Sequence, residues 1–188
     1  KVTSGTHTIY LRGKIDIDAS TAPAFEISNS ANVTLALETG CDATFNGGNT
    51  SYAGLQVSDK AQLTIRGKGT LHATGGDAGG AGIGGNSHSA NVGSITILDG
   101  NITAEGKCGG AGIGSGVGGA AASSINIKGG KVTAIGSDGQ QREAGKDPVP
   151  PGPGIGSHLV GGDLDNNVPG KASGNVIISG GTVKAYGG

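Results

Sequence analysis

The sequence predicts an all-β chain, wound as a right-handed, single-stranded parallel β-helix. Three observations carry that prediction. A four-residue segment returns as Ala81-Gly82-Ile83-Gly84, Ala111-Gly112-Ile113-Gly114 and Pro153-Gly154-Ile155-Gly156. Each copy is followed by two short apolar-alternating runs joined by a glycine-bearing turn. No helical periodicity separates these runs, so a βαβ arrangement is excluded. A recurrence of this length marks one supersecondary unit stacked on itself.

From the N-terminus, Thr8-Ile9-Tyr10-Leu11 and Lys14-Ile15-Asp16-Ile17 read as a partial opening coil within residues 1–20. Phe25-Glu26-Ile27, Val33-Thr34-Leu35 and Ala43-Thr44-Phe45 form the first three-run unit. Leu55-Gln56-Val57, Leu63-Thr64-Ile65 and Thr70-Leu71-His72-Ala73 repeat it. The step from Phe25 to Leu55 equals the step from Val33 to Leu63. After Ile83 come Ser94-Ile95-Thr96-Ile97 and Asn101-Ile102-Thr103-Ala104. After Ile113 come Ser124-Ile125-Asn126-Ile127 and Lys131-Val132-Thr133-Ala134. After Ile155 come Asn175-Val176-Ile177-Ile178 and Thr182-Val183-Lys184-Ala185. The expected architecture is five to six coils of about 30 residues, a period typical of solenoids. Each coil should hold three short strands, of three to four residues. Coils would stack about 4.8 Å apart, with Ile, Val, Leu, Phe and Ala forming inward columns. The hand follows from the near-universal right-handed crossover between parallel strands.

The chain has 188 residues, enough for a single domain over 1–188. It contains 41 glycines without a Gly-X-Y period, which excludes collagen. Isoleucines held in register over several units also argue against a disordered linker. Net charge is −1, Lys and Arg do not cluster, and there are only three Tyr and two Phe, which disfavours nucleic-acid binding. No apolar run approaches a membrane span, so membrane insertion is not expected. Cys41 and Cys108 lie two units apart, roughly 9.6 Å of stacking, which predicts two thiols rather than a bridge. The strand pattern already under way at Lys1 reads as a piece of a larger secreted or cell-wall protein, with other domains of that parent as partners.

Chemistry is expected where the repeat is broken, since binding residues concentrate on loops held by a rigid scaffold. Two insertions, 137–152 and 157–173, flank the third Gly-Ile-Gly strand and are expected to rise from one side of the solenoid. The candidate ligand-binding residues are Asp138, Arg142, Glu143, Asp147, His158, Asp163, Asp165, Asn166 and Asn167, with His88 from an earlier, stacked loop. Ordinary solvated loops carry the same residue types. Asp163, Asp165 and Asn167 place oxygen donors at the close spacing calcium takes, without a full EF-hand or nonapeptide pattern. No cofactor is required; calcium is the ion this spacing would admit. No nucleophile-elbow, Walker, Rossmann or zinc motif occurs, so no catalytic residue is assigned. Gly82 and Gly84 alternate with Ile83, so both are expected to point outward and leave a bare face open to close approach. The absence of a Thr-x-Thr pattern through every unit disfavours an ice-binding face.

Gly100-Asn101-Ile102-Thr103-Ala104, Gly130-Lys131-Val132-Thr133-Ala134 and Gly181-Thr182-Val183-Lys184-Ala185, each after an Ile-x-Ile strand, resemble surface-protein repeats of Gram-positive gut and soil bacteria. They are also similar to the clostridial family of polysaccharide-binding, pectate-lyase-like β-helix domains, over most of residues 54–188. That resemblance implies a solenoid binding cellulose or pectic polymers, often with calcium. The family often carries Asp beside its Gly-Ile strand, where this chain has Ala81, Ala111 and Pro153, so no ligand position transfers along that face. The expected function is a non-catalytic carbohydrate-binding or adhesion module, extracellular or on the cell wall, with a polysaccharide or host glycan as partner. The alternatives are a carbohydrate-active domain (polysaccharide lyase, glycosidase or epimerase) and a structural spacer.

Overall fold

The computed structural model describes residues 1–89, 91–119, 122–140, 148–157 and 174–188. Its strands come in rounds of three. The first round is β1 (Thr6–Leu11), β2 (Lys14–Asp18) and β3 (Phe25–Ile27). The second is β4 (Asn32–Leu37), β5 (Asp42–Asn46) and β6 (Leu55–Val57). The third is β7 (Gln62–Gly67), β8 (Thr70–Thr74) and β9 (Ile83–Gly84). The fourth is β10 (Val92–Ile97), β11 (Asn101–Glu105) and β12 (Ile113–Gly114). The fifth is β13 (Ala122–Ile127), β14 (Lys131–Ile135) and β15 (Ile155–Gly156), followed by β16 (Asn175–Ile178) and β17 (Thr182–Tyr186). Among the described residues there is no helix.

Each strand pairs in parallel with its equivalent one round away. The orders are β1-β4-β7-β10-β13-β16, β2-β5-β8-β11-β14-β17 and β3-β6-β9-β12-β15. This is the predicted parallel β-helix. Two of the three sheets use strands of up to six and five residues, longer than the expected three to four, and the third shrinks to two. Alternation alone understates the longer strands because their polar end residues pair as fully as their apolar centres. Asn32, at the start of β4, pairs with Gln62 in this way.

The core is a set of columns. Leu35, Ile65, Ile97 and Ile127 stand in register, as do Leu71, Ile102 and Val132, and Leu55, Ile83 and Ile113. All are buried. Burying such a side chain contributes about 1.5–3 kcal/mol relative to exposure. Near the N-terminus the β2-containing sheet carries Phe45 where later rounds carry Ala73, Ala104 and Ala134, and Phe45 stacks on Phe25 with ring centroids 5.6 Å apart.

Cys41 and Cys108 do not form a disulfide, as their separation predicts. Cys41 lies in the turn between β4 and β5 and is 3% exposed. Burial raises its thiol pKa, with Asp42 and Glu38 adding to the effect. Two outcomes are expected of this fold. Ile97→Ala should lower unfolding free energy by about 2–5 kcal/mol in a denaturant titration. Cys41 should stay unreactive toward a thiol reagent in the native protein and react fully once denatured; rapid native labelling of Cys41, located by peptide mapping, would refute its burial.

Candidate functional site

The returning Gly-Ile-Gly segment lies between two sets of turns. One set leads from the β2-containing sheet into the short strands; the other leads from the short strands to the β1-containing sheet. Isoleucine faces the core, as expected, and Ile83 and Ile113 are completely buried. The flanking glycines do not make a bare outer face. They are buried, and at Gly82, Gly84, Gly112, Gly114 and Gly154 the space a side chain would need is filled by backbone. A Cβ on Gly82 would lie 2.5 Å from the Glu105 amide nitrogen, and one on Gly112 would lie 2.5 Å from that of Ile135. At Gly84 the next strand intrudes instead: a Cβ there would meet the Gly114 carbonyl oxygen at 1.9 Å, and one on Gly114 the Gly156 oxygen at 1.7 Å. Gly84, Gly114 and Gly156 also hold φ values of +138°, +143° and +130°. Both features demand glycine. The expectation of an open glycine face is therefore corrected: close approach does occur, and the approaching group is the chain itself.

Turns pack over these strands as a second layer. The Val117 amide donates to the Gly79 carbonyl at 2.8 Å, and the His88 amide donates to the Val117 carbonyl at 2.8 Å. Val117 and Val149 are buried against turn glycines: a Cβ on Gly109 would be 2.7 Å from Val149 Cγ1 and 3.3 Å from Val117 Cγ2. Neither valine lies in an alternating run, so periodicity gives no sign of this small outer cluster. At the base of the first insertion, Gln140 and Val149 form an antiparallel bridge, with reciprocal amide-to-carbonyl bonds of 3.0 and 2.8 Å.

Of the candidate ligand residues, the described ones are Asp138 and His88. Asp138 is exposed in the turn region between β14 and β15; His88 is exposed between β9 and β10, with φ at 55°. They sit at turns on opposite ends of the short strands. Arg142, Glu143, Asp147, His158, Asp163, Asp165, Asn166 and Asn167 lie outside the described residues, and with them the calcium candidates. Among the described residues no group of three or more His, Cys, Asp or Glu side chains could hold a metal ion. Where the chain leaves β11 for the short strand β12, Lys107 pairs with Glu105.

The structure displays two further features. On the outer face of the β1-containing sheet, Thr8, Thr34, Thr64 and Thr96 form one continuous row that Asn126 extends. Two residues earlier in each strand run Thr6, Asn32, Gln62, Ser94, Ser124 and Asn175. The second feature is a shallow depression of about 560 Å³ at the N-terminal end, lined by Lys1, Glu26, Ser28, Asn29 and Asp59 among others. Lys1 and Glu26 pair across it at 2.9 Å, and the 8%-exposed Ser28 carries a buried hydroxyl with no hydrogen-bond partner.

A family model described as a beta helix repeat matches residues 63–87, 95–117, 125–162 and 176–188, more than half of the chain. The chain belongs to the beta helix repeat family. The model marks four repeats, fewer than the five to six coils expected from the sequence. No significant match is found among curated proteins or among solved structures. As a beta helix repeat chain, its glycines should be tolerant only where no further strand presses on them. Gly114→Ala is expected to lower the thermal midpoint markedly more than Gly156→Ala. Among the described residues a Cβ at Gly156 meets nothing within 4 Å, leaving a backbone strain of about 1–3 kcal/mol. Equal losses in the two variants would show that φ alone, and not the stacked carbonyl, imposes glycine.

Proposed function

We propose that this beta helix repeat chain is a non-catalytic carbohydrate-binding or adhesion module of a secreted or cell-wall-attached protein. The observation that carries the reading is the pair of polar rows on the β1-containing sheet. Thr34, Thr64 and Thr96 are adjacent along the axis and half-buried, each beside the next. Asn32, Gln62 and Ser94 add amide and hydroxyl groups two residues away on the same face. Both rows repeat at the strand spacing, about 4.8 Å. A polymer lying along the axis thus meets donors and acceptors at every round, as a chain of hydroxyl-bearing sugars requires. Such contacts are individually weak, about 0.5–1.5 kcal/mol each, and gain strength through repetition.

The resemblance of the Ile-x-Ile and Gly-x-Val-x-Ala units to clostridial polysaccharide-binding domains supports the same class of partner. The insertions flanking β15 supply the natural place for selectivity, through Asp138 and the candidates beyond it. Calcium, if used, would be held by Asp163, Asp165 and Asn167.

Polysaccharide co-sedimentation together with a glycan array tests the proposal. At least one polymer should be retained, and the Thr64→Ala, Thr96→Ala double variant should bind about tenfold more weakly, as expected for two lost hydrogen bonds of roughly 0.7 kcal/mol each. The thermal midpoint should hardly change, because both side chains are on the outer face. Retention of no polymer, or undiminished binding by the double variant, would remove the basis for the reading.

A further inference from the structure

Basic residues that are scattered along the sequence meet at one corner of the coil. This is the corner where each round turns from the β1-containing sheet into the β2-containing sheet. The first round places Arg12 and Lys14 there, the third Arg66 and Lys68, and the fifth Lys128 and Lys131. The rounds between them carry carboxylates instead: Glu38 and Asp42 in the second, Asp99 in the fourth. Rounds stack about 4.8 Å apart, so like charges recur about every 9.6 Å along the axis. The carboxylates already have cations of the coil beside them. Arg12 pairs with Glu38 at 2.8 Å and Lys68 with Asp99 at 2.6 Å. Lys68, together with the Gly100 amide, holds the Asp99 carboxyl below its ordinary range. Asp42 lies opposite Lys14 in register and 3.8 Å from His72. Arg66, Lys128 and Lys131 are exposed and form no salt bridge among the described residues, so the corner keeps a positive excess.

Arg66 and Lys128 stand in one outer row with Leu98 between them, two residues along the strands from Thr64, Asn126 and Thr96 respectively. The cationic edge therefore borders the threonine row, and a polymer lying on that row comes within its field. A neutral polymer gains nothing from these charges. A polymer charged on every sugar sets alternate charges over the carboxylate rounds, where repulsion opposes it. Two rounds are close to the length of a disaccharide in an extended chain. A polymer charged on every second sugar thus lays each anion at a cationic round and each neutral sugar at a carboxylate round. We propose that the glycan bound along the threonine row is an acidic polysaccharide with one anionic group per disaccharide, held by Arg66 and Lys128. This inference deepens the carbohydrate-binding reading and rests on it.

Affinity measurements at low salt test it with four probes. Hyaluronan carries its charge on alternate sugars, polygalacturonate on every sugar, and a cello-oligosaccharide on none; a thymidine oligonucleotide is a polyanion of another class. Hyaluronan should bind most tightly, and added salt should weaken it. Arg66→Gln together with Lys128→Gln should lower hyaluronan affinity about tenfold, as the loss of two exposed charge contacts allows, and leave the neutral probe unaffected. Glu38→Gln together with Asp99→Asn should raise polygalacturonate binding more than hyaluronan binding. Arg66 and Lys128 are exposed and Glu38 and Asp99 partly so, and the thermal midpoint should stay close to that of the unsubstituted chain. Hyaluronan affinity indifferent to the Arg66 and Lys128 substitutions overturns the inference, as does equal binding of polygalacturonate or of the oligonucleotide. A cello-oligosaccharide bound more tightly than hyaluronan, and weakened only by Thr64→Ala and Thr96→Ala, overturns it while the carbohydrate-binding reading stands. Failure to bind any glycan removes both.

Discussion

The constraint on which the rest of this molecule depends is the parallel backbone pairing of each round with the next. Hydrogen bonding fixes neighbouring strands about 4.8 Å apart. That distance is too short for equivalent positions to ignore one another. Whatever occupies a place in one round sits directly over its counterpart, so each position along the coil becomes a column. A column of isoleucines, as at Ile95 and Ile125, excludes water along the axis. The cost of ordering the backbone is met by a repeated interface rather than by one central core.

The same spacing explains why glycine rather than another small residue recurs around Ile83, Ile113 and Ile155. At the short strands the chain turns from one long sheet to another within a few residues. Gly82 and Gly112 are pressed against amides at the ends of β11 and β14, at distances where even a methyl group would overlap. Glycine costs roughly 0.5–1 kcal/mol in backbone entropy relative to alanine. A forced overlap with a carbonyl oxygen, at 1.9 Å from a Cβ on Gly84 and 1.7 Å from one on Gly114, costs far more. Sterics therefore outweigh the entropy. The glycines are a consequence of tight coiling, and they free the longer sheets to carry the variable outer residues.

The inward half of this arrangement is legible in the sequence, and the outward half is largely not. Apolar side chains at period two identify themselves, and their recurrence locates the rounds. The outer threonine row gives a weaker signal: it keeps the same spacing as the apolar column beside it, but polar residues occupy the outer positions of every strand and do not single out one row. The register of the strands brings Thr8, Thr34, Thr64 and Thr96 into line. The glycines mislead for a related reason. Alternation reports which side of a strand a residue occupies, but not what lies there. The neighbouring backbone belongs to segments distant in the chain, as Gly82 meets Glu105 and Gly112 meets Gly154. Val117 and Val149 escape notice because they make a cluster outside any alternating run.

Recognition along the threonine row, as proposed, would give the division of labour in the coil a physical rationale. Core columns tolerate little variation, since each member touches the one above and below. Outer positions feel only their neighbours in the row and the solvent, so they change without disturbing the winding. Asn126 and Ile177 in the threonine row already show that latitude, while Ile127 and Ile178 beside them keep the inward column apolar. Insertions obey the same logic: a segment such as 137–152 is accommodated at a turn because the Gln140–Val149 bridge closes its base and returns the chain to β15 in register. Specificity is then adjustable at the faces and turns of the beta helix repeat, while the backbone ladder that sets their spacing stays unchanged.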